Sequence, residues 1–151
     1  MQVPFIKALQ PEAKIVPIAV PPSGHPVQLG DLLARIAREK PFVVVASTDL
    51  THYGEERFAF APRGKGPAAH EWMKANDQRL IGLAESLLAE EILPEVVAHH
   101  NACGPGALAA ATSFARARGA ERGVLIEHTT SQDVQPEDPF TFGVGYAGMI
   151  F

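Results

Sequence analysis

From residue 41 to residue 54 the chain reads Pro-Phe-Val-Val-Val-Ala-Ser-Thr-Asp-Leu-Thr-His-Tyr-Gly, an apolar run that passes directly into a cluster of polar groups. Three consecutive valines within residues 42–46 predict a strand covered on both faces, the pattern of a sheet flanked by helices. Ser47, Thr48, Asp49, Thr51, His52 and Tyr53 then fall beyond its carboxyl end. In open α/β sheets that end faces the crevice where ligands bind, so a site is sought here first. A plain polar turn would have the same composition, and the rest of the chain must decide between them.

The neighbouring segments supply an α/β frame. Residues 1–12 read as extended and loop-like, and residues 14–20, Lys-Ile-Val-Pro-Ile-Ala-Val, predict a strand whose Pro17 confines it to a sheet edge or a bulge. Leu29, Leu32, Leu33 and Ile36 recur at helical spacing before Pro41, which completes a strand–helix–strand unit. Helical patterns follow at residues 68–88, through Trp72, Met73, Leu80 and Leu83, and at 89–98. The Trp72 and Met73 stripe is read as core packing. A further helix, 107–118, carries Pro105 in its first turn and ends at Gly119, as helices commonly do. Residues 123–128 and 142–151 predict two more strands, separated by a polar loop and a proline-containing surface loop. The expected architecture is one α/β domain over residues 1–151, with a mostly parallel or mixed sheet flanked by helices.

Composition narrows the functions available. With 151 residues, 46% of them hydrophobic, the chain has material for one core of ordinary size. A net charge of -4 without a basic run argues against nucleic acid or an acidic membrane as partner. No apolar stretch approaches the roughly 18 to 20 residues a membrane-spanning helix requires, and no signal peptide is recognised at the start. The lone cysteine, Cys103, excludes an internal disulfide and suits a reducing, cytoplasmic setting.

That cysteine also carries the second chemical signal. Pro105 places Cys103 at or just before a helix N-terminus, where unpaired N–H groups and the helix dipole favour a thiolate, the form that binds metals. Cys103 and His52 could act as nucleophile and base in a hydrolase, or Cys103 could join one or more of His52, His99, His100 and His128 around zinc, copper or iron. A buried apolar role for Cys103 is the plain alternative. His99 and His100 are adjacent and point in different directions, and His25 and His70 are read as surface residues.

Taken together, Val3-Pro-Phe-Ile, Lys14-Ile-Val-Pro-Ile, Val45-Ala-Ser-Thr-Asp-Leu-Thr-His-Tyr-Gly54, Cys103-Gly-Pro-Gly, Thr130-Ser-Gln-Asp and Gly143-Val-Gly-Tyr-Ala resemble the second half of the Memo family. That family includes the bacterial proteins called AmmeMemoRadiSam system protein B, and it is similar in fold to the class III extradiol ring-cleaving dioxygenases. The resemblance implies a metal pocket at the sheet ends. In it Cys103 matches a metal ligand, His52 the pocket histidine that handles protons or joins the metal, and Asp49 the acidic residue of the same loop. The Thr-Ser-Gln-Asp loop departs from the family in carrying Gln132 where glycine is usual. The two histidine ligands of the family's first half have no counterpart here. The resemblance therefore implies a partial or shared pocket for iron, copper or zinc, completed by a second chain or a homo-oligomer, with redox or dioxygenase-type chemistry. The alternative it leaves open is a non-catalytic module that binds a peptide or small anion.

Overall fold

The computed structural model describes residues 2–151. Four longer helices lie where the apolar spacing predicts them: α2 (Pro26–Glu39), α4 (Pro67–Glu85), α5 (Ala89–His99) and α6 (Pro105–Ala117), introduced here with α1 (Gln2–Leu9) and the single turns α3 (Glu55–Phe58) and α7 (Ser131–Val134). Proline opens α2, α4 and α6, where its fixed φ suits the first turn and its missing N–H costs nothing. The strands are β1 (His52–Gly54), β2 (Val124–Thr130) and β3 (Phe142–Ile150).

The sheet is three-stranded, in the order β1-β3-β2, and both pairings are antiparallel. The α/β class stands, while the parallel or mixed sheet expected from the strand–helix–strand reading gives way to an antiparallel one. Among the described residues the runs 14–20 and 42–46 form no ladder. The reason is visible in their exposure. Val44 and Ala46 are half-buried, whereas Val43 is 86% and Val45 56% exposed, so the run is extended with one face packed and the other open. The expected strand covered on both faces is not formed, because a ladder needs a neighbour, which local sequence does not encode. Residues 14–19 are exposed throughout, Val16 and Ile18 among them, and only Val20 is half-buried. At the start, Gln2–Leu9 is helical rather than extended and buries none of its residues. Pro4 falls in its first turn, where proline favours a helix, and Lys7 Nζ reaches the carbonyls of Pro11 and Ala13 beyond its end.

Two apolar clusters hold the fold. One joins Leu50 to Leu80, Ile81 and Ala84 of α4, Ile92 and Val96 of α5, and Leu108 and Ala109 of α6. The other gathers Tyr53, Ala69, Met73 and Phe140, with Trp72 packed against it, so the Trp72 and Met73 stripe is core packing. Helix α2 lies tightly on α6 because Gly30 has no Cβ. One placed there would sit 2.3 Å from the carbonyl oxygen of Ala110. Between residues 42–46, α6 and the end of β3 lies an apolar cavity of about 690 Å³. No helix among the described residues is long and apolar enough to cross a membrane.

Candidate functional site

Residues 47–51 emerge from the extended run and meet β3 edge-on: Leu50 N donates to Gly145 O at 2.9 Å, and Gly145 N donates to Thr51 O at 3.0 Å. β1 begins at the next residue, His52, paired with Val144. Leu50 anchors the loop in the main core while Asp49 and His52 remain partly accessible. Tyr53 is buried in the second cluster, its hydroxyl donating to Gly64 O at 3.0 Å and accepting from Arg63 N at 3.1 Å.

Cys103 approaches this loop from the opposite direction. It stands just before α6, whose N-cap is Gly104, as the position of Pro105 predicts. Cys103 N donates to Asp49 O at 3.2 Å, and Gly104 N donates to the Thr48 hydroxyl at 2.8 Å. Its sulfur accepts the Asp49 backbone N–H at 3.3 Å and lies 3.7 Å from Thr48 Oγ1. His52 Nε2 lies 3.3 Å from Asp49 Oδ2. One ligand atom each from Asp49, His52 and Cys103 fall within 4.8 Å of one another. A carboxylate, an imidazole and a cysteine sulfur form a mixed donor set that suits a borderline or soft transition ion. Beside them opens a cavity of about 260 Å³ lined by His52, Phe58, Phe60, His100 and Cys103 among others.

The other histidines divide. His100 caps α5 in the left-handed region, meets Phe60 in a tilted arrangement with ring centroids 5.2 Å apart, and borders the cavity without joining the triad. His99 meets Arg79 at 2.8 Å and Glu95 at 3.8 Å. His128 pairs with Asp77 Oδ2 at 2.9 Å and with Gln78 at 3.2 Å, so His99 and His128 are engaged away from Cys103. His25 is exposed at the N-cap of α2. His70 is not the surface residue that its sequence position suggested. Its ring contacts Phe140 and its Nε2 lies 2.8 Å from Thr130 Oγ1, because α4 turns this face towards the end of β2. Burial first, then Lys74, hold its imidazole below the ordinary value, against an opposing pull from Asp133.

Sequence reading missed Asn76 and Asp77. Asp77 is fully buried; burial pushes its carboxyl up, while hydrogen bonds from Thr51 and His128 pull it back. A signal was present. Both positions fall on the α4 face that carries Met73, Leu80 and Ala84, and polar groups on a buried stripe require partners.

The fold is an antiparallel α/β scaffold on which a cysteine sulfur, an imidazole and a carboxylate converge beside a cavity, a group of side chains that could hold a metal ion. Its family is more specific. The family model described as Memo-like protein matches residues 1–150, and the chain belongs to the Memo family. It is 33% identical to a MEMO1 family protein of Thermococcus kodakarensis, over 100% of this chain and 54% of that protein. A MEMO1 family protein of Pyrococcus furiosus is 31% identical over 99% of this chain and 54% of its own length. One from Methanopyrus kandleri is 29% identical over 100% and 50%. The chain thus spans about half the length of these relatives.

Proposed function

We propose that this chain forms one side of a transition-metal pocket in which Cys103 is the principal ligand and His52, with Asp49, handles protons or completes the ligand set. The observation that carries this is the convergence of three chemically matched donor atoms within 4.8 Å, on segments that are far apart in sequence. A bound iron, copper or zinc ion would supply Lewis-acid chemistry or, for iron and copper, one-electron chemistry. Asp49 orients the His52 imidazole through the 3.3 Å contact, so that its other nitrogen can exchange a proton with a ligand in the cavity. The hydrolase alternative has less support, since a nucleophile and its base need a direct hydrogen bond. The sulfur instead takes the Asp49 N–H and His52 faces the Asp49 carboxylate.

Three protein ligands with unfilled positions fit an open site, and a tight structural site wants four. The remaining donors are assigned to whatever covers the exposed apolar side, where Val43 and Val45 stand open at the large cavity. A second chain that adds strands to the extended run 42–46 suits that surface, and a second copy of this chain is the other occupant. A non-catalytic role, in which the cavity takes a peptide or small anion, draws on the rings of Phe58, Phe60 and His100 that wall it.

Titration of the purified protein with a competing chelator tests the ligand assignment. Cys103→Ala is expected to lose metal almost completely, while His52→Ala keeps much of it and loses any turnover. Equal affinity of Cys103→Ala and the parent would overturn the assignment.

A further inference from the structure

Two adjacent residues of α4 are hydrogen-bonded both to the Asp49–His52 loop and to the segment before Cys103, which α5 also holds through Asn101 Nδ2 donating to Glu95 Oε1 at 3.1 Å. The Asn76 amide donates to Thr51 Oγ1 at 3.1 Å and to His99 O at 3.0 Å. Its backbone carbonyl accepts from Asn101 Nδ2 at 3.0 Å. One residue on, Asp77 Oδ1 accepts the backbone N–H of Thr51 at 2.9 Å, and Oδ2 is held by His128 at 2.9 Å. Thr51 lies between Asp49 and His52, and His99 and Asn101 immediately precede the Cys103 turn. Asn76, Asp77, Thr51 and Asn101 are all buried. The strand side is built for this as well, since a Cβ at Gly145 would lie 2.0 Å from Asp77 Oδ2. Glycine there lets the carboxylate reach the loop.

We propose that Asn76 and Asp77 are positioning residues that hold the Asp49–His52 loop and the Cys103 loop in register from beneath. That they thereby set metal affinity rests on the metal-pocket reading above. Neither residue belongs to the converging group of ligand atoms. Their action is through Thr51 on one side and through His99 O and Asn101 on the other, and a helix in the core is the stiffest element available to span the two. Groups that orient metal ligands typically change metal affinity by about 10- to 100-fold when lost. A pair that merely filled the core would lower stability and leave the affinity of the folded protein unchanged.

The test compares Thr51→Val, which keeps shape but deletes the acceptor of the Asn76 amide, with Thr51→Ser, which restores it, and with Asn76→Ala. Each is titrated with Co2+, its folded fraction confirmed by urea unfolding, and the metal-free rate of Cys103 alkylation by iodoacetamide is measured in parallel. Folded Thr51→Val and Asn76→Ala are expected to bind Co2+ about 10- to 100-fold more weakly than the parent and to alkylate at a changed rate, while Thr51→Ser matches the parent in both. Parent-like affinity and alkylation in folded Thr51→Val would overturn the proposal. Should Asn76→Ala fail to fold, the two Thr51 variants decide alone. If the parent itself takes no Co2+, the metal-pocket reading fails, and the alkylation comparison still settles the positioning of Cys103: a changed rate in Thr51→Val restored by Thr51→Ser upholds it, and equal rates reject it.

Discussion

His70 shows at the residue scale how burial becomes a measurable pH effect. Its imidazole is held below the model-peptide value of 6.5, first by burial and then by Lys74, so folding favours the neutral form. As pH falls through 6.5 the unfolded chain takes the proton first, and stability drops until the folded imidazole also titrates, below which the loss levels off. Urea unfolding across that window should show a shallower pH slope for His70→Asn than for the parent, and an identical slope would remove His70 as its source. The same scale shows what sequence conveys about a site. The convergence of Asp49, His52 and Cys103 could be expected from sequence because loop residues after an apolar run and a cysteine before a proline-started helix each have a local chemical reason. The burial of His70 could not, because its partner Thr130 lies 60 residues away. Gln132 resolves locally: its amide bonds both the N–H and the carbonyl of Glu137, a use of the position that glycine could not make.

Helices were the readable elements, because a period of 3.6 residues and a proline or glycine at an end are properties of contiguous sequence. Strands β2 and β3 were readable from short apolar or alternating runs bounded by turn-forming residues. The run 42–46 reads as a strand covered on both faces, but it forms no ladder and leaves Val43 and Val45 exposed, since pairing depends on a neighbour that local pattern does not name. The contact of α2 with α6 gives an element-scale prediction. An alanine at Gly30 would place its Cβ 2.3 Å from Ala110 O and 2.8 Å from Phe114 N, which forces the helices apart. Overpacking of this kind costs about 1–3 kcal/mol, more than the roughly 0.5–1 kcal/mol that alanine gains over glycine within a helix. Gly30→Ala should lower the urea midpoint; a raised midpoint would mean that the two helices are not in such close contact.

For the whole molecule, the exposed valines and the apolar cavity place the least satisfied surface next to the candidate site. Large exposed apolar patches mark interaction surfaces. Light scattering at micromolar concentration is expected to give a dimer or larger species, and Val43→Lys with Val45→Lys should shift it towards monomer without unfolding the core. A stable parent monomer would argue against a second copy as the occupant. The family, by contrast, rests on motifs distributed along the whole chain, which is why it was legible before any contact was known. The central claim is that Cys103 binds a metal beside Asp49 and His52. X-ray absorption at the zinc edge of the zinc-loaded protein tests it most directly. One sulfur at about 2.3 Å with nitrogen or oxygen neighbours at about 2.0–2.2 Å is expected, with loss of the sulfur shell in Cys103→Ala. A shell of nitrogen and oxygen alone, the same in the parent and in Cys103→Ala, would contradict it.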